Sequence, residues 1–258
     1  MKIYIPSRGR WDKQSTVNHL PRTLDGAIVL VVPTNEYERY ARANPHTEVV
    51  APNIPPGIGP CRQWCCEQEP QKVLMMDDDL VFATRREDES TKFRDSHEHE
   101  IETLIERINT YLDEFAAVGL ATREGGNRDT NRLAFNTRLL RVLAYRTDVL
   151  ANEGIRFDAI PVMEDFYVGL SLLTRGYENV KLNHMVHNQH GSGTAGGCSE
   201  YRTMDTQAEA AHALAGHFPQ FVTAVEKTTK GAWGGGTRTD VRIQWKQALQ
   251  SAPEEQTL

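Results

Sequence analysis

The sequence predicts a single α/β domain in which helices flank a mostly parallel central sheet. Short apolar segments alternate with helical patterns through the first 120 residues, which is typical of strand–helix–strand units. Hydrophobic residues make up 39% of the 258 residues and charged residues 25%, as in ordinary globular chains. No internal repeat is found, and no apolar run approaches the ~20 residues that cross a bilayer. These observations argue against a disordered, fibrous or membrane protein.

Strands and helices alternate in the first half of the chain. Residues 27–32 are apolar at every position, the pattern of a strand covered on both faces. In such a sheet the ligand lies outside the carboxyl ends of the strands, so the loops after the strands should form one cleft. The predicted strands are residues 2–5, 27–32, 48–51 and 73–76, and the predicted helices are residues 12–20, 36–43 and 61–69.

The second half has a less regular pattern. Residues 84–100 are dense in charge and predict a mobile loop, whereas the apolar spacing of residues 101–115 predicts an amphipathic helix. Residues 231–238 contain too much glycine for a regular element, and the last eight residues are expected to fray. Further strands are predicted at residues 116–121, 139–145 and 180–186, and further helices at residues 164–175 and 206–217.

The N-terminal residues, the cysteines and the net charge indicate where the protein works and what it binds. The first ten residues lack the apolar core of a signal peptide, so we expect a cytoplasmic protein. The four cysteines agree with a reducing compartment and lack the spacing of a zinc site, so we expect buried thiols. These cysteines are Cys61, Cys65, Cys66 and Cys198. A net charge of −6 argues against a wholly basic nucleic-acid binder.

One region is nevertheless basic. Residues 123–146 contain six arginines and two acidic residues, which gives a local charge of +4. Such a surface is suited to a phosphate backbone. The alternative is that several of these arginines are ordinary surface residues or partners in ion pairs.

The triplet Asp77, Asp78 and Asp79 is the sharpest chemical signal in the sequence. It directly follows a buried apolar strand, where adjacent carboxylates repel one another and lose hydration. A divalent cation would neutralise them, and oxygen ligands suit Mg²⁺ or Mn²⁺. The alternative is an exposed turn with solvated aspartates. The position at the end of the fourth predicted strand favours the metal site.

Two further groups follow in the second half. Glu164 and Asp165 stand at the start of a predicted helix, where a carboxylate is either functional or a simple cap. His184, His187 and His190 lie where the next strand leaves the sheet, and one of them is a candidate metal ligand. A structural role is the alternative for each histidine.

Taken in order, these residues resemble a GT-A glycosyltransferase, a Rossmann-like fold with a mostly parallel sheet. The resemblance rests on an arginine loop after the first strand, the aspartate triplet, the Glu-Asp pair and the later histidines. Four strings are more narrowly similar to the TET-associated glycosyltransferase family, whose members are implied to glycosylate hydroxymethylated pyrimidines in DNA, often in bacteriophages. They are IPSRGR at 5–10, GIGPCRQWCCE at 57–67, MMDDDLVF at 75–82 and MEDFYVGLSLLTRGY at 163–177.

The resemblance implies a metal ion and a nucleotide-sugar donor. Asp79 would hold Mn²⁺ or Mg²⁺, with Asp77 on the ion or the ribose, and His187 or His190 would complete the ligands. Asp78 is implied either to bind the donor or to form structural hydrogen bonds. The donor is expected to be a UDP-sugar. The residues implied to bind it are Pro6, Ser7, Arg8, Arg10, Thr34, Gly57, Arg62, Asp77 and Asp78.

The resemblance also implies a catalytic base and a DNA acceptor. Asp165 would deprotonate the acceptor hydroxyl in an inverting displacement, and Glu164 is its nearest rival for that role. Arg123, Arg128 and Arg132 would contact DNA that carries a hydroxymethylated pyrimidine. The first alternative is a glycosyltransferase for a glycan or small molecule. The second is a non-catalytic DNA-binding relative, although the intact acidic motifs argue against decay.

The implied organisation is one domain of residues 1–250 with a tail at 251–258. Residues 1–120 would form the nucleotide-sugar half and residues 121–250 the acceptor half. A phage-encoded member of such a family would work in the host cytoplasm.

Overall fold

The computed structural model of the chain describes residues 1–189, 203–229 and 236–253. Within these ranges ten strands form one sheet, and two further strands pair as a hairpin. The strands are β1 Ile3–Pro6, β2 Ile28–Val31, β3 Glu48–Val50, β4 Lys72–Met76, β5 Leu80–Arg85, β6 Phe93–Asp95, β7 Ala117–Thr122, β8 Leu133–Phe135, β9 Val142–Arg146, β10 Asn179–Gln189, β11 Val222–Thr229 and β12 Gly236–Ile243.

Helices flank the sheet, and the longest contain eleven to fourteen residues. Short 3₁₀ turns lie at Arg22–Ala27, Thr34–Glu36 and Phe157–Ala159. The α-helices are α1 Ser15–His19, α2 Tyr37–Ala43, α3 Ile58–Gln68, α4 Glu98–Tyr111, the distorted turn α5 Arg123–Gly126, α6 Thr147–Asn152, α7 Glu164–Leu173, α8 Met204–His217 and α9 Trp245–Gln250. Among the described residues, none of the helices has the length and apolarity needed to cross a membrane.

The large sheet has the order β3-β2-β1-β4-β9-β7-β10-β5-β6, and β8 also pairs with β10. Strands β1 to β4 are mutually parallel. From the pairings, β6, β7 and β10 run in the same direction as β1 to β4, and β5, β8 and β9 run in the opposite direction. The predicted class, an α/β domain with a mostly parallel central sheet flanked by helices, is therefore confirmed.

Alternation along the first strand explains how the sheet is covered on both faces. Ile3 and Ile5 belong to a buried cluster that includes Leu104 of α4. Tyr4, which points to the opposite face, belongs to a second cluster with Cys65 of α3. Successive side chains of a strand point to opposite faces, so an apolar run in sequence fills two cores. The predicted burial of thiols is confirmed for Cys65 and Cys66, Cys61 is half-buried, and Cys198 lies outside the described residues.

A third apolar cluster joins the C-terminal elements to helix α7. Val168 and Leu172 of α7 pack toward the sheet. Phe166 and Leu170 face the opposite way and pack with α8, α9 and the β11–β12 hairpin. A helix that is apolar on all sides is one that is buried on all sides. Helix α7 is thus held between the sheet and the C-terminal elements.

Two segments that were predicted to be irregular contain regular elements. Residues 84–100 are not one mobile loop, because β5 extends to Arg85, β6 follows, and α4 begins at Glu98. The charges there belong to exposed strand and helix faces, where Arg94 forms two hydrogen bonds of 2.8 Å with Glu100. Residues 231–238 were expected to be irregular, but residues 236–238 belong to β12, and residues 231–235 lie outside the described residues. The glycine- and serine-rich residues 191–202 lie outside the described residues.

Candidate functional site

The predicted loops meet at one edge of the sheet. Since β1 to β4 are parallel, the residues after each strand lie at their common carboxyl edge. Strand β10 ends at the same edge with Gln189, because it is parallel to β7 and antiparallel to β5. The aspartate triplet, the Ser7–Arg10 loop and the start of α3 therefore share this edge.

Arg10 connects two carboxylates of the triplet. Its Nη1 atom lies 2.7 Å from Asp78 Oδ1 and 3.0 Å from Asp79 Oδ2. The second oxygen of Asp78 accepts a 2.5 Å hydrogen bond from Ser7 Oγ, which also lies 2.8 Å from Tyr40 Oη. Asp78 is buried, so both of its oxygens serve contacts inside the protein. Of the two roles implied for Asp78, these contacts favour structural hydrogen bonding over donor binding. They hold the loop after β1 against the triplet.

Arg62 connects the triplet to the Glu-Asp pair. Its Nη2 atom lies 3.1 Å from Asp77 Oδ1, and its Nη1 atom lies 2.5 Å from Glu164 Oε1. The side chains of Arg62 and Glu164 are only 8% and 6% exposed. Two motifs that are far apart in sequence thus belong to a single site. Arg62 supplies the positive charge that the carboxylate of Glu164 needs once it is buried, and the same guanidinium reaches Asp77.

Asp77 is the most accessible member of the triplet. Its side chain is 29% exposed, against 6% for Asp78 and 13% for Asp79. Desolvation, together with the charges of Asp79 and Asp78, raises the pKa of Asp77 to about 6 despite the nearby guanidinium of Arg62. The carboxylates are therefore held close together at an electrostatic cost, which a bound cation would relieve.

Three side chains that the sequence analysis missed fix this edge. Thr16 Oγ1 donates to the Asp77 carbonyl at 2.5 Å and accepts from the amide of Leu80 at 2.9 Å, which holds the backbone of the triplet. Gln189 Nε2 donates to Asp79 Oδ1 at 3.0 Å. Gln14 Nε2 donates to Ser7 Oγ at 2.8 Å, and its buried Oε1 atom has no hydrogen-bond partner in the described part of the chain.

The start of α7 presents Asp165 at the site. Met163, the residue before the helix, has a left-handed φ of 66°, which is uncommon for a residue other than glycine and sharply turns the chain into α7. Asp165 is 12% exposed, and its Oδ2 atom lies 4.0 Å from Nη2 of Arg138. Glu164 points instead into the buried contact with Arg62. The two adjacent carboxylates therefore have different environments.

The histidines do not complete a metal site in the described residues. His187 is fully buried, and its Nε2 atom lies 3.1 Å from the carbonyl oxygen of Leu140. Burial and the charge of Arg141 lower the pKa of His187 to about 3, so its ring is neutral. His190 lies outside the described residues. Within residues 1–189, 203–229 and 236–253, no group of three or more His, Cys, Asp or Glu side chains is arranged to hold a metal ion.

The remaining predicted donor-binding residues surround the same edge. Pro6 ends β1, Arg8 lies in the following loop, and Thr34 is exposed after β2. Gly57 precedes α3 with φ 132° and ψ 158°, a conformation that only glycine adopts readily. The amide groups of the first turn of α3 consequently begin at this edge, and that turn contains no acidic residue.

The arginine-rich region is not one continuous surface. Arg123, Arg128 and Arg132 are exposed in the segment after β7, as expected for a contact surface. Arg146 is different, because β9 runs antiparallel to β4 and carries it to the amino end of that strand, opposite Lys72. There Arg146 pairs with Asp148 at 2.6 Å. The expectation of a single +4 patch over residues 123–146 is therefore wrong.

A half-buried arginine of β5 orders the exposed segment. Arg85 Nη2 donates to the carbonyl oxygens of Gly126 and Asp129 at 3.0 and 2.9 Å. Its guanidinium also lies 4.7 Å from the ring centroid of Phe93. A shallow cavity of about 400 Å³ lies beside this segment. Its lining residues are Thr91, Lys92, Phe93, Arg123 and Asn127.

Solved structures that resemble this chain are distant in sequence. GalNAc-T7 with UDP, GalNAc and Mn²⁺ is similar over 73% of this chain and 43% of its own, with a TM-score of 0.47 and 10% identity. A CMP:2-keto-3-deoxy-manno-octonic acid synthetase complexed with CTP is similar over 70% of this chain and 88% of its own, with a TM-score of 0.40 and 14% identity. Mannose-1-phosphate geranyltransferase from Thermus thermophilus is similar over 47% of this chain and 41% of its own, with a TM-score of 0.34 and 8% identity. The chain spans less than half the length of the first and third of these proteins, and no curated protein matches it.

A family model covers most of the chain. It matches residues 1–197, which include β1 to β10, the aspartate triplet and the Glu-Asp pair. The C-terminal elements α8, β11, β12 and α9 lie beyond the matched residues. The resemblance found in the sequence motifs is confirmed: the chain belongs to the TET-associated glycosyltransferase family.

Proposed function

We propose that the chain transfers a sugar from a nucleotide sugar to an acceptor hydroxyl at the carboxyl edge of the sheet. The contact of Arg62 with both Asp77 and Glu164 carries this proposal, because it unites the two acidic motifs in one site. The aspartate triplet would lie beside the departing diphosphate, and the Glu-Asp pair would lie beside the attacking hydroxyl. Membership of a glycosyltransferase family supports the reaction class.

The donor would lie across the loops at this edge, and we expect a UDP-sugar. Arg8 stands in the loop after β1, and guanidinium groups pair well with phosphate oxygens. Arg10 in the same loop also contacts Asp78 and Asp79, so it would face the donor as part of that cluster. Helix α3 begins after Gly57 with no acidic residue in its first turn, and the positive end of a helix dipole favours an anion, although Pro60 contributes no amide hydrogen. Both features would offset the negative charge of a nucleoside diphosphate.

Asp77 and Asp79 are suited to a divalent cation that arrives with the donor. Mg²⁺ is commonly bound by one or two carboxylates together with substrate phosphates and water, so a complete cage of protein ligands is not required. Asp77 is the most exposed of the triplet, and desolvation together with the charges of Asp79 and Asp78 raises its pKa. When bound, Mn²⁺ or Mg²⁺ would stabilise the charge of the leaving diphosphate.

Asp165 is the base that we assign to the acceptor hydroxyl. The hydroxyl oxygen forms a bond to the sugar carbon as the bond to the diphosphate breaks, and Asp165 takes the proton. A single displacement of this kind inverts the configuration at that carbon. Asp165 is favoured over Glu164 because Glu164 is buried and bonded to Arg62, whereas Asp165 is partly exposed.

The acceptor that we propose is a 5-hydroxymethyl pyrimidine in DNA. Arg123, Arg128 and Arg132 are exposed and would contact the phosphate backbone. A base inside a duplex must leave the stack before its hydroxymethyl group reaches an active site.

Thermal unfolding tests the donor site. We expect UDP or a UDP-sugar to raise the Tm more in the presence of Mn²⁺ than in its absence, because a ligand that binds only the folded state stabilises it. Asp79→Asn should remove the Mn²⁺-dependent part of the shift. Asp113→Asn is the matched control, since Asp113 is 69% exposed and pairs with Lys72 at the amino end of β4. Equal shifts in wild type and Asp79→Asn would reject the metal assignment.

Acceptor preference distinguishes DNA from smaller molecules. Sugar transfer should be detectable on DNA that contains 5-hydroxymethylcytosine and absent on the same DNA with cytosine. Transfer to free sugars or small alcohols, with none to DNA, would instead favour a glycan or small-molecule acceptor. DNA binding without nucleotide binding would favour a non-catalytic relative of the fold.

A further inference from the structure

Arg138 stands between the proposed base and an aromatic side chain of the same helix. Its Nη2 atom lies 4.0 Å from Asp165 Oδ2, and its Cζ atom lies 4.2 Å from the ring centroid of Phe166. The side chain is 46% exposed, so the guanidinium is at the surface of the site. Asp165 and Phe166 are adjacent residues at the start of α7, and Arg138 contacts both.

A tryptophan of the C-terminal elements supports the aromatic partner. The rings of Phe166 and Trp245 are 5.8 Å apart and tilted by 37°. Gly169, one turn later in α7, lies beside the same indole, where a Cβ atom would be 3.4 Å from Trp245 Cζ3. Trp245 begins α9, which lies beyond the residues that the family model matches. This segment therefore holds the aromatic surface on which Arg138 rests.

We propose that Arg138 is a positioning residue that orients the carboxylate of Asp165 toward the acceptor hydroxyl, held in place by Phe166 and Trp245. The inference rests on the proposed function, because it assumes that Asp165 is the base. A guanidinium over an aromatic face is restrained by cation–π attraction. Its charge then draws the carboxylate in one direction, whereas the buried contact with Arg62 already fixes the adjacent Glu164.

Loss of orientation has a specific kinetic consequence. A misplacement of about 1 Å at a reacting group costs up to ~100-fold in rate. We therefore expect Arg138→Ala to lower kcat by about 10- to 100-fold. The KM for the nucleotide sugar and the Tm shift with UDP and Mn²⁺ should stay near wild-type values, because Arg138 is not among the residues assigned to the donor. Arg138→Lys, which keeps the charge, should recover part of the lost rate.

The control is an arginine–carboxylate pair at the far end of the same helix. Arg175 follows α7, pairs with Glu153 at 3.2 Å, and is 40% exposed, much like Arg138. Arg175→Ala removes a comparable surface ion pair and should leave kcat unchanged. Equal losses of kcat in Arg138→Ala and Arg175→Ala would identify a general structural effect and overturn the proposal.

A double-mutant cycle tests whether Arg138 acts through Asp165. If it does, adding Arg138→Ala to Asp165→Asn should cause no further loss of kcat, because the group being oriented is already disabled.

The proposal is overturned if Arg138→Ala lowers kcat by the same factor in both backgrounds, which would mean that Arg138 contacts the acceptor independently. It is also overturned if Arg138→Ala alone leaves kcat unchanged while Asp165→Asn is impaired, an outcome that leaves the proposed function intact. Wild-type turnover in Asp165→Asn, in contrast, would reject the base assignment itself.

Discussion

At the scale of single residues, two arginines organise the site. Arg10 contacts Asp78 and Asp79, and Arg62 contacts Asp77 and Glu164. The planar fork of Arg62 reaches two carboxylates with Nη1 and Nη2, whereas Arg10 contacts both of its carboxylates through Nη1. Each arginine therefore holds two carboxylates that would otherwise repel one another or lie buried without compensation.

Removal of Arg62 is predicted to destabilise the fold. Arg62→Met leaves Glu164 buried without its partner, and breaking a buried pair on one side costs about 3–5 kcal/mol. The free energy of unfolding in urea measures this loss. Arg156→Ala is the control, because Arg156 is 52% exposed and its ion pairs should contribute less than about 1 kcal/mol. A loss below about 1 kcal/mol in Arg62→Met would show that the buried pair is not needed for folding.

The sequence allowed the acidic residues of the site to be predicted, but not their partners. Adjacent aspartates after an apolar strand are recognisable in one dimension. Gln189 could not be found in this way, because its contact with Asp79 depends on how β10 pairs with β5. The different environments of Glu164 and Asp165 likewise depend on the position of Arg62, which lies on another helix. Long-range register, rather than residue type, determines these contacts.

At the scale of elements, close backbone packing positions helix α3 beside the segment that leads into α7. A Cβ atom at Gly59 would lie 2.7 Å from the carbonyl oxygen of Phe157, whose 3₁₀ turn precedes α7. Real Cβ atoms do not approach so closely, so glycine is needed at this position. Arg62 and Glu164 are carried by these two helices, so this approach supports their contact.

Alanine substitution of glycine tests this packing, because the change in the free energy of unfolding should have opposite signs at Gly216 and Gly59. Alanine normally stabilises a helix relative to glycine by about 0.5–1 kcal/mol. Gly216→Ala in α8 should show that gain, because a Cβ atom there has no neighbour within 4 Å among the described residues. Gly59→Ala should instead destabilise by about 1–3 kcal/mol, as overpacking does. Denaturation in urea compares the two, and a gain in stability for Gly59→Ala would refute the close approach.

The β11–β12 hairpin contains a carboxylate whose pKa is shifted. Asp240 is partly desolvated, which raises its pKa, but hydrogen bonds from Lys227 and Arg238 lower it further, to about 2. Both contacts are 2.9 Å long, and the carboxylate is 13% exposed. Because the folded pKa lies below the ordinary value of 3.8, this contribution to stability is present above pH 4. It is lost as the pH falls from about 4 to 2.

Asp240→Asn should therefore destabilise the protein near neutral pH and matter little at pH 2. We expect a loss of about 1–2 kcal/mol at pH 7, which shrinks progressively below pH 4. Unfolding measured at a series of pH values compares the variant with wild type. A difference between the two that is independent of pH would contradict the assigned ion pairs.

The elements themselves were predicted unevenly, for physical reasons. Strand β2 is recognisable because both of its faces are buried, so all of its residues are apolar. Helix α4 is recognisable because one of its faces is buried, so its apolar residues recur with helical spacing. Strands β5 and β6 were missed because Arg85, Arg94 and Asp95 place charges on partly exposed strands. Strand pairing supplies the stability that this local pattern does not indicate. The start of β12 was missed because the glycines of residues 231–238 argued against a regular element.

At the scale of the whole molecule, a chain of net charge −6 is proposed to bind a polyanion. This requires that the exposed arginines of residues 123–132 are concentrated at the acceptor side of the site. Binding of DNA through them should weaken steeply as salt is raised, because counterions are released on association. Arg123→Ala and Arg128→Ala should each reduce the slope of log affinity against log salt by about one.

The exposed Arg156, which pairs with Asp158 and Glu67, provides the control for this measurement. Arg156→Ala should leave the slope unchanged. Affinity for DNA that does not depend on salt, or slopes that are equal in all three variants and wild type, would remove the arginine segment from the acceptor surface.

The most direct test of the account is sugar transfer itself, measured by mass spectrometry of nucleosides released from DNA that contains 5-hydroxymethylcytosine. Wild-type protein with Mn²⁺ and a panel of UDP-sugars should yield a nucleoside heavier by one sugar. Asp165→Asn should form this product ~10²–10⁴-fold more slowly, since it lacks the basic oxygen, while its Tm shift with UDP and Mn²⁺ is retained. Transfer by Asp165→Asn at the wild-type rate, with loss of transfer in Glu164→Gln, would contradict the account and move the catalytic role to the buried carboxylate.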